Sequence, residues 1–69
     1  MTYDLQRAKI RLEIAREKAV LAAETARRLL ASGEAVSLLD LATAETTAQV
    51  AALEVELAQI DVDELSPAS

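Results

Sequence analysis

The sequence contains no cysteine and no histidine. Without cysteine there is no disulfide and no thiolate metal site, and without histidine the chain lacks the commonest metal ligand and the commonest general base. A domain of 69 residues buries little surface, so it usually needs a disulfide, a metal or association with another chain. We therefore expect no cofactor and no metal, and we expect association to stabilise the fold.

Glycine, proline and aromatic residues are almost missing, with Gly33, Pro67 and Tyr3 as single representatives. The 52% of hydrophobic residues are instead mainly alanine and leucine, which favour helices over strands. The composition predicts an all-α fold.

The chain has no long apolar run and no basic start. The first residues, Met1 to Asp4, do not resemble a signal peptide, and no stretch approaches the roughly 18 apolar residues of a membrane span. As written, the chain is expected in the cytoplasm, or in the periplasm if it is a fragment of a secreted parent. Its net charge of -5 opposes attraction to nucleic acid and anionic lipid.

Helix-end signals in residues 1–65 predict two helices joined by a turn, which is a helical hairpin. Helix one is predicted from about residue 3 to 31, with Thr2 as N-cap, and Gly33 permits the positive φ that often ends a helix.

A turn over 32–37 leads to Ser37 and Asp40, whose spacing matches a capping box. Helix two is predicted over about 38–65. Residues 66–69 are expected to be a disordered tail because Pro67 cannot continue the helix.

Both helices carry an uninterrupted apolar seam whose residues alternate three and four positions apart, the heptad pattern of an alanine-rich coiled coil. In helix one the seam comprises Leu5, Ala8, Leu12, Ala15, Ala19, Ala22, Ala26 and Leu29. In helix two it comprises Leu41, Ala44, Ala48, Ala51, Val55, Ala58, Val62 and Leu65. Folding the chain back at residue 35 pairs the two seams, which predicts an antiparallel two-helix hairpin.

Charge agrees with this pairing. All seven lysines and arginines lie in helix one, whereas eight of the twelve acids lie from Glu34 onward. In this register Arg16 falls opposite Glu54 and Lys9 near Asp61, so we expect ion pairs that select the register more than they stabilise it.

A second apolar stripe lies away from the seam. It consists of Tyr3, Ile10, Ile14, Leu21, Leu39, Val50, Leu53, Leu57 and Ile60. A soluble two-helix monomer should be polar at these positions. We therefore expect the stripe to be an oligomer interface, giving a four-helix bundle by dimerisation or a larger helical oligomer; another helical protein is the alternative partner.

The residues do not favour catalysis. Ser32 and Ser37 have no histidine to act as their base, and their positions are typical of helix ends. Glu13 and Glu17 share a helix face, but a diiron bundle also needs Glu-x-x-His motifs. The hypothesis is a noncatalytic structural or protein-interaction module.

The turn region, residues 28–45 (RLLASGEAVSLLDLATAE), resembles the periplasmic hairpin tip of TolC-family outer-membrane efflux channels and of their periplasmic adaptor proteins. The resemblance extends over roughly Ala15 to Leu65. It implies an export hairpin that packs side by side with others into an α-barrel, with Gly33, Ser37 and Asp40 as tip positions that dock the adaptor.

A hairpin dimer with basic residues is also similar to Rop-like plasmid regulators, which bind RNA. Here Arg7, Arg11 and Lys18 flank the seam, where cations commonly pair with acids of a partner helix. With Tyr3 as its one aromatic residue, the chain has little to stack on bases. Nucleic-acid binding is the third hypothesis.

Overall fold

The protein consists of two helices packed against each other as a hairpin. The structure, a computed structural model, describes residues 2–32 and 36–67. Helix α1 spans Thr2–Ala31 and helix α2 spans Leu38–Leu65, and no strand occurs in the described residues. The predicted all-α hairpin is confirmed.

The helix ends differ from the expectations at two positions. Thr2 is the first helical residue of α1 and not a residue outside it, a difference within the usual uncertainty of helix boundaries. Ser66 belongs to the end of α2 and not to a loose tail, because its amide and its hydroxyl both donate to Val62 O, at 2.9 and 2.7 Å. Residues 68 and 69 of the predicted tail lie outside the described residues.

The core is a row of small side chains between the helices. Among the described residues, the buried ones all come from the predicted seam: Ala8, Leu12, Ala26, Ala51, Ala58 and Val62. Ala8, Leu12, Ala58 and Val62 form one cluster, against which Leu5, Ala15 and Val55 pack. Four of the six buried residues are alanine, so the helices can approach closely, but each contact removes little apolar area from water.

The hairpin is a rod of 51 × 16 × 13 Å. Its radius of gyration is 15.8 Å, against about 11 Å for a compact domain of this length. Its accessible surface of 5589 Å² exceeds by about a third the roughly 4,200 Å² typical of a monomer of this mass. Among the described residues, neither helix combines the length and hydropathy needed to cross a membrane. The rod therefore exposes far more surface than a compact monomer would.

Ala8 tests the close packing of the seam because it is only 2% exposed. We expect Ala8→Leu to overpack the contact with Leu12 and Val62, lowering the free energy of unfolding by about 1–3 kcal/mol. Ala42→Leu, at an exposed position of α2, is the matched control and should change it by no more than about 0.5 kcal/mol. Urea unfolding at equal protein concentration measures both, and equal midpoints for the two variants would contradict the packing described.

Candidate interaction surface

The seam residues lie where the helices meet. Fifteen of the sixteen are buried or partly buried. Leu65 differs: it is 44% exposed because it is the last residue of α2, at the open end of the hairpin. The seam thus accounts for the contact between the two helices.

All nine residues of the second stripe are exposed, over a range from 50% for Ile14 and Val50 to 76% for Tyr3. Val20, Leu30 and Leu38 are also exposed large apolar residues, at 55, 62 and 86%, and sequence reasoning missed them. Val20 lies beside the stripe, and Leu30 and Leu38 lie near the turn. The stripe was defined by its position opposite the seam, so it did not include these three residues. Counting every large apolar residue outside the seam would have found them.

One face of the hairpin is a shallow groove with an alanine floor. Ala15 and Ala58 form the floor, and the groove has a volume of about 330 Å³. Six larger side chains line it: Arg11, Ile14 and Lys18 from α1, and Glu54, Leu57 and Asp61 from α2. We call these six residues the groove face. It combines two large apolar side chains with two cations on the α1 side and two acids on the α2 side, so both apolar contact and charge can contribute to binding a partner.

The groove continues toward the turn. A second depression of about 420 Å³ shares Lys18 and Glu54 with the first and adds Val50 and Ala51. The concave surface therefore extends over residues 11–22 of α1 and 46–61 of α2 instead of forming an isolated pocket.

The opposite face carries a row of hydrogen-bonded polar side chains. The Arg16 guanidinium donates to Gln59 Oε1 at 3.2 Å, and Gln59 Nε2 donates to Asp63 Oδ1 at 3.0 Å. Arg16 follows Ile14 by two residues, which places it about 200° around the helix, away from the groove. The two faces of the hairpin therefore differ: one has a groove, and the other has polar side chains that bond across and along the helices.

The predicted ion pair between Arg16 and Glu54 is wrong. The two side chains lie on different faces, and Arg16 instead bonds Gln59. Among the side chains that the structure describes, no ion pair joins the helices. Because all these charged residues are exposed, their charges act over distance and contribute little to stability individually.

The titratable groups that the structure describes form no enclosed site. Glu13 and Glu17 are exposed, and within residues 2–32 and 36–67 no three acids come together to hold a metal ion. The described part of the chain also has no buried polar side-chain atom lacking a partner. The surface offers apolar contact and exposed charge, which suit binding to another macromolecule.

The tip is organised by Ser37. Its side chain lies at the start of α2 and accepts the Asp40 amide at 3.0 Å, as one half of a capping box would. Asp40 is in the first turn, where its charge suits the free helix amides. Ser32 Oγ donates to Leu29 O at the end of α1. Gly33, the third predicted tip residue, lies outside the described residues.

Comparisons with known proteins give no relative. Neither a protein-family model nor a curated protein nor a solved structure matches this chain. The function must therefore be argued from the hairpin's own surface.

Ser37 gives a test of the tip. We expect Ser37→Ala to lower the free energy of unfolding by about 0.5–2 kcal/mol because the Asp40 amide loses its acceptor. Ser37→Asp retains an acceptor and should stay close to the parent. Urea unfolding monitored by circular dichroism measures both, and an alanine variant as stable as the aspartate variant would show that the cap does not hold the start of α2.

Proposed function

We propose that the chain is a noncatalytic, self-associating helical hairpin that acts as a structural or protein-interaction module. Its simplest assembly is a homodimer, a four-helix bundle in the manner of an alanine-rich coiled coil. The observation that carries the proposal is that thirteen large apolar side chains within residues 2–32 and 36–67 are 44–86% exposed.

The energetics favour covering this surface. Burying one large apolar side chain contributes roughly 1.5–3 kcal/mol, and small domains are stable by only about 5–15 kcal/mol. In the described part of the chain, the buried core consists of four alanines, one leucine and one valine. Covering the exposed halves of Ile14, Val50 and Leu57, which line the groove, would add about 2–4 kcal/mol for each copy, a large part of the stability of such a domain.

The available area is also sufficient. A stable interface typically buries about 800 Å² on each partner. The hairpin exposes roughly 1,400 Å² more than a compact monomer of its mass would. The extra exposed surface is therefore large enough to form one interface of ordinary size.

Leu57 allows a direct test because it is 65% exposed and lines the groove. We expect Leu57→Glu to place a charge in the interface and to convert the parent assembly into a 7.4 kDa monomer. Gln49→Glu adds the same charge at another exposed position of α2, outside the groove, and should leave the assembly intact. Size-exclusion chromatography with light scattering gives both masses.

The comparison between the two variants decides the matter. If Leu57→Glu keeps the parent's mass, Leu57 is not in the interface and the proposed surface is wrong. If both variants dissociate, the added negative charge by itself prevents association. The loss of association in Leu57→Glu then does not show that the apolar stripe forms the interface.

As a second candidate we propose an export hairpin that packs with several copies, as in the TolC-like assemblies the turn resembles. The tip supports this candidate because Leu38 and Leu39 are 86 and 75% exposed, beyond the reach of a groove-centred dimer. Native mass spectrometry separates the two: three or more copies in one closed assembly favours the export hairpin, and a dimer alone counts against it.

A further inference from the structure

The charges of the two helices differ in sign. Helix α1 carries seven cations and four acids, whereas α2 carries seven acids and no cation. Any assembly of this chain must therefore either alternate unlike helices or place like-charged helices side by side. The second choice is opposed by repulsion.

The groove face shows the same division at close range. Arg11 and Lys18 line its α1 side, and Glu54 and Asp61 line its α2 side. The opposed seam residues of the core cluster place Arg11 roughly level with Asp61, and Lys18 roughly level with Glu54. The face therefore presents one positive and one negative edge on either side of an apolar floor.

We infer that two copies pack groove face against groove face about a two-fold axis parallel to the helices. This arrangement rests on the proposed self-association and specifies it. The rotation places α1 of each copy on α2 of the other and keeps every residue at its level along the rod. Arg11 and Lys18 of one copy then meet Asp61 and Glu54 of the other, while Ile14 meets Leu57. Both turns lie at the same end.

The competing face-to-face arrangement has its two-fold axis across the helices. It places α1 on α1 and α2 on α2, so that cations meet cations and acids meet acids. Its turns lie at opposite ends of the bundle. Packing through the other face would instead cover polar side chains, of which Arg16 already donates to Gln59 and Gln59 to Asp63.

A distance between labels separates the two arrangements. The chain has no native cysteine, so Ala31→Cys, at the exposed last residue of α1, can carry one spin label per copy. Double electron–electron resonance on the full-length dimer should give a distance within about 25 Å when the turns lie together. A distance of about 40 Å or more would place the turns apart and overturn the inference.

Charge reversal gives an independent test. Lys18→Glu should weaken dimerisation about five- to tenfold because the altered contact occurs twice in each dimer. Adding Glu54→Lys should restore the parent's affinity, since the reversed charges again meet unlike partners. Lys9→Glu, with the same charge change at an exposed position outside the groove, is the control and should change the affinity less than twofold.

The outcomes distinguish this inference from the proposed function. An affinity unchanged by Lys18→Glu, or not restored by Glu54→Lys, shows that the charged edges do not face each other and overturns the inference. A dimeric parent with distant turns overturns the arrangement and leaves self-association standing. A parent that is monomeric in both measurements overturns both.

Discussion

The structure depends on close contact between two rows of small side chains. Alanines at most seam positions let the helices approach, and they hold the hairpin with a core in which no described large side chain is completely buried. The seam fixes how the chain folds back on itself. Most of the large apolar residues remain outside the seam, and they can stabilise the fold only when another surface covers them.

The two faces of the rod differ in the side chains that they expose. On one face Arg16 bonds Gln59, and Gln59 bonds Asp63. On the other, an alanine floor runs between two rows of side chains, with cations on the α1 side, acids on the α2 side, and Ile14 and Leu57 farther out. Association through the groove would bury apolar surface while the charged edges select the orientation, which is how charges at helix interfaces commonly act.

Much of the fold could be predicted from the sequence because a single periodicity governs it. The three-four alternation marks the positions that become buried, such as Ala8 and Ala58, and the spacing of Ser37 and Asp40 locates the start of α2. Contacts between long side chains were harder to predict. Arg16 was expected to meet Glu54, but the choice of partner depends on which side of the seam each residue lies, and the guanidinium bonds Gln59 instead. The exposure of Leu38 was not predicted. Leu38 is the first residue of α2, next to the turn, and a periodic pattern does not show how exposed a side chain at a helix end will be.

This hairpin exposes more apolar surface than it can leave in water. Sedimentation equilibrium of the unaltered chain, from about 1 to 100 μM, tests this because mass action ties association to concentration. We expect a mass of at least twice 7.4 kDa over this range, falling toward the monomer value on dilution if the association is weak. A folded particle of 7.4 kDa at every concentration would contradict it.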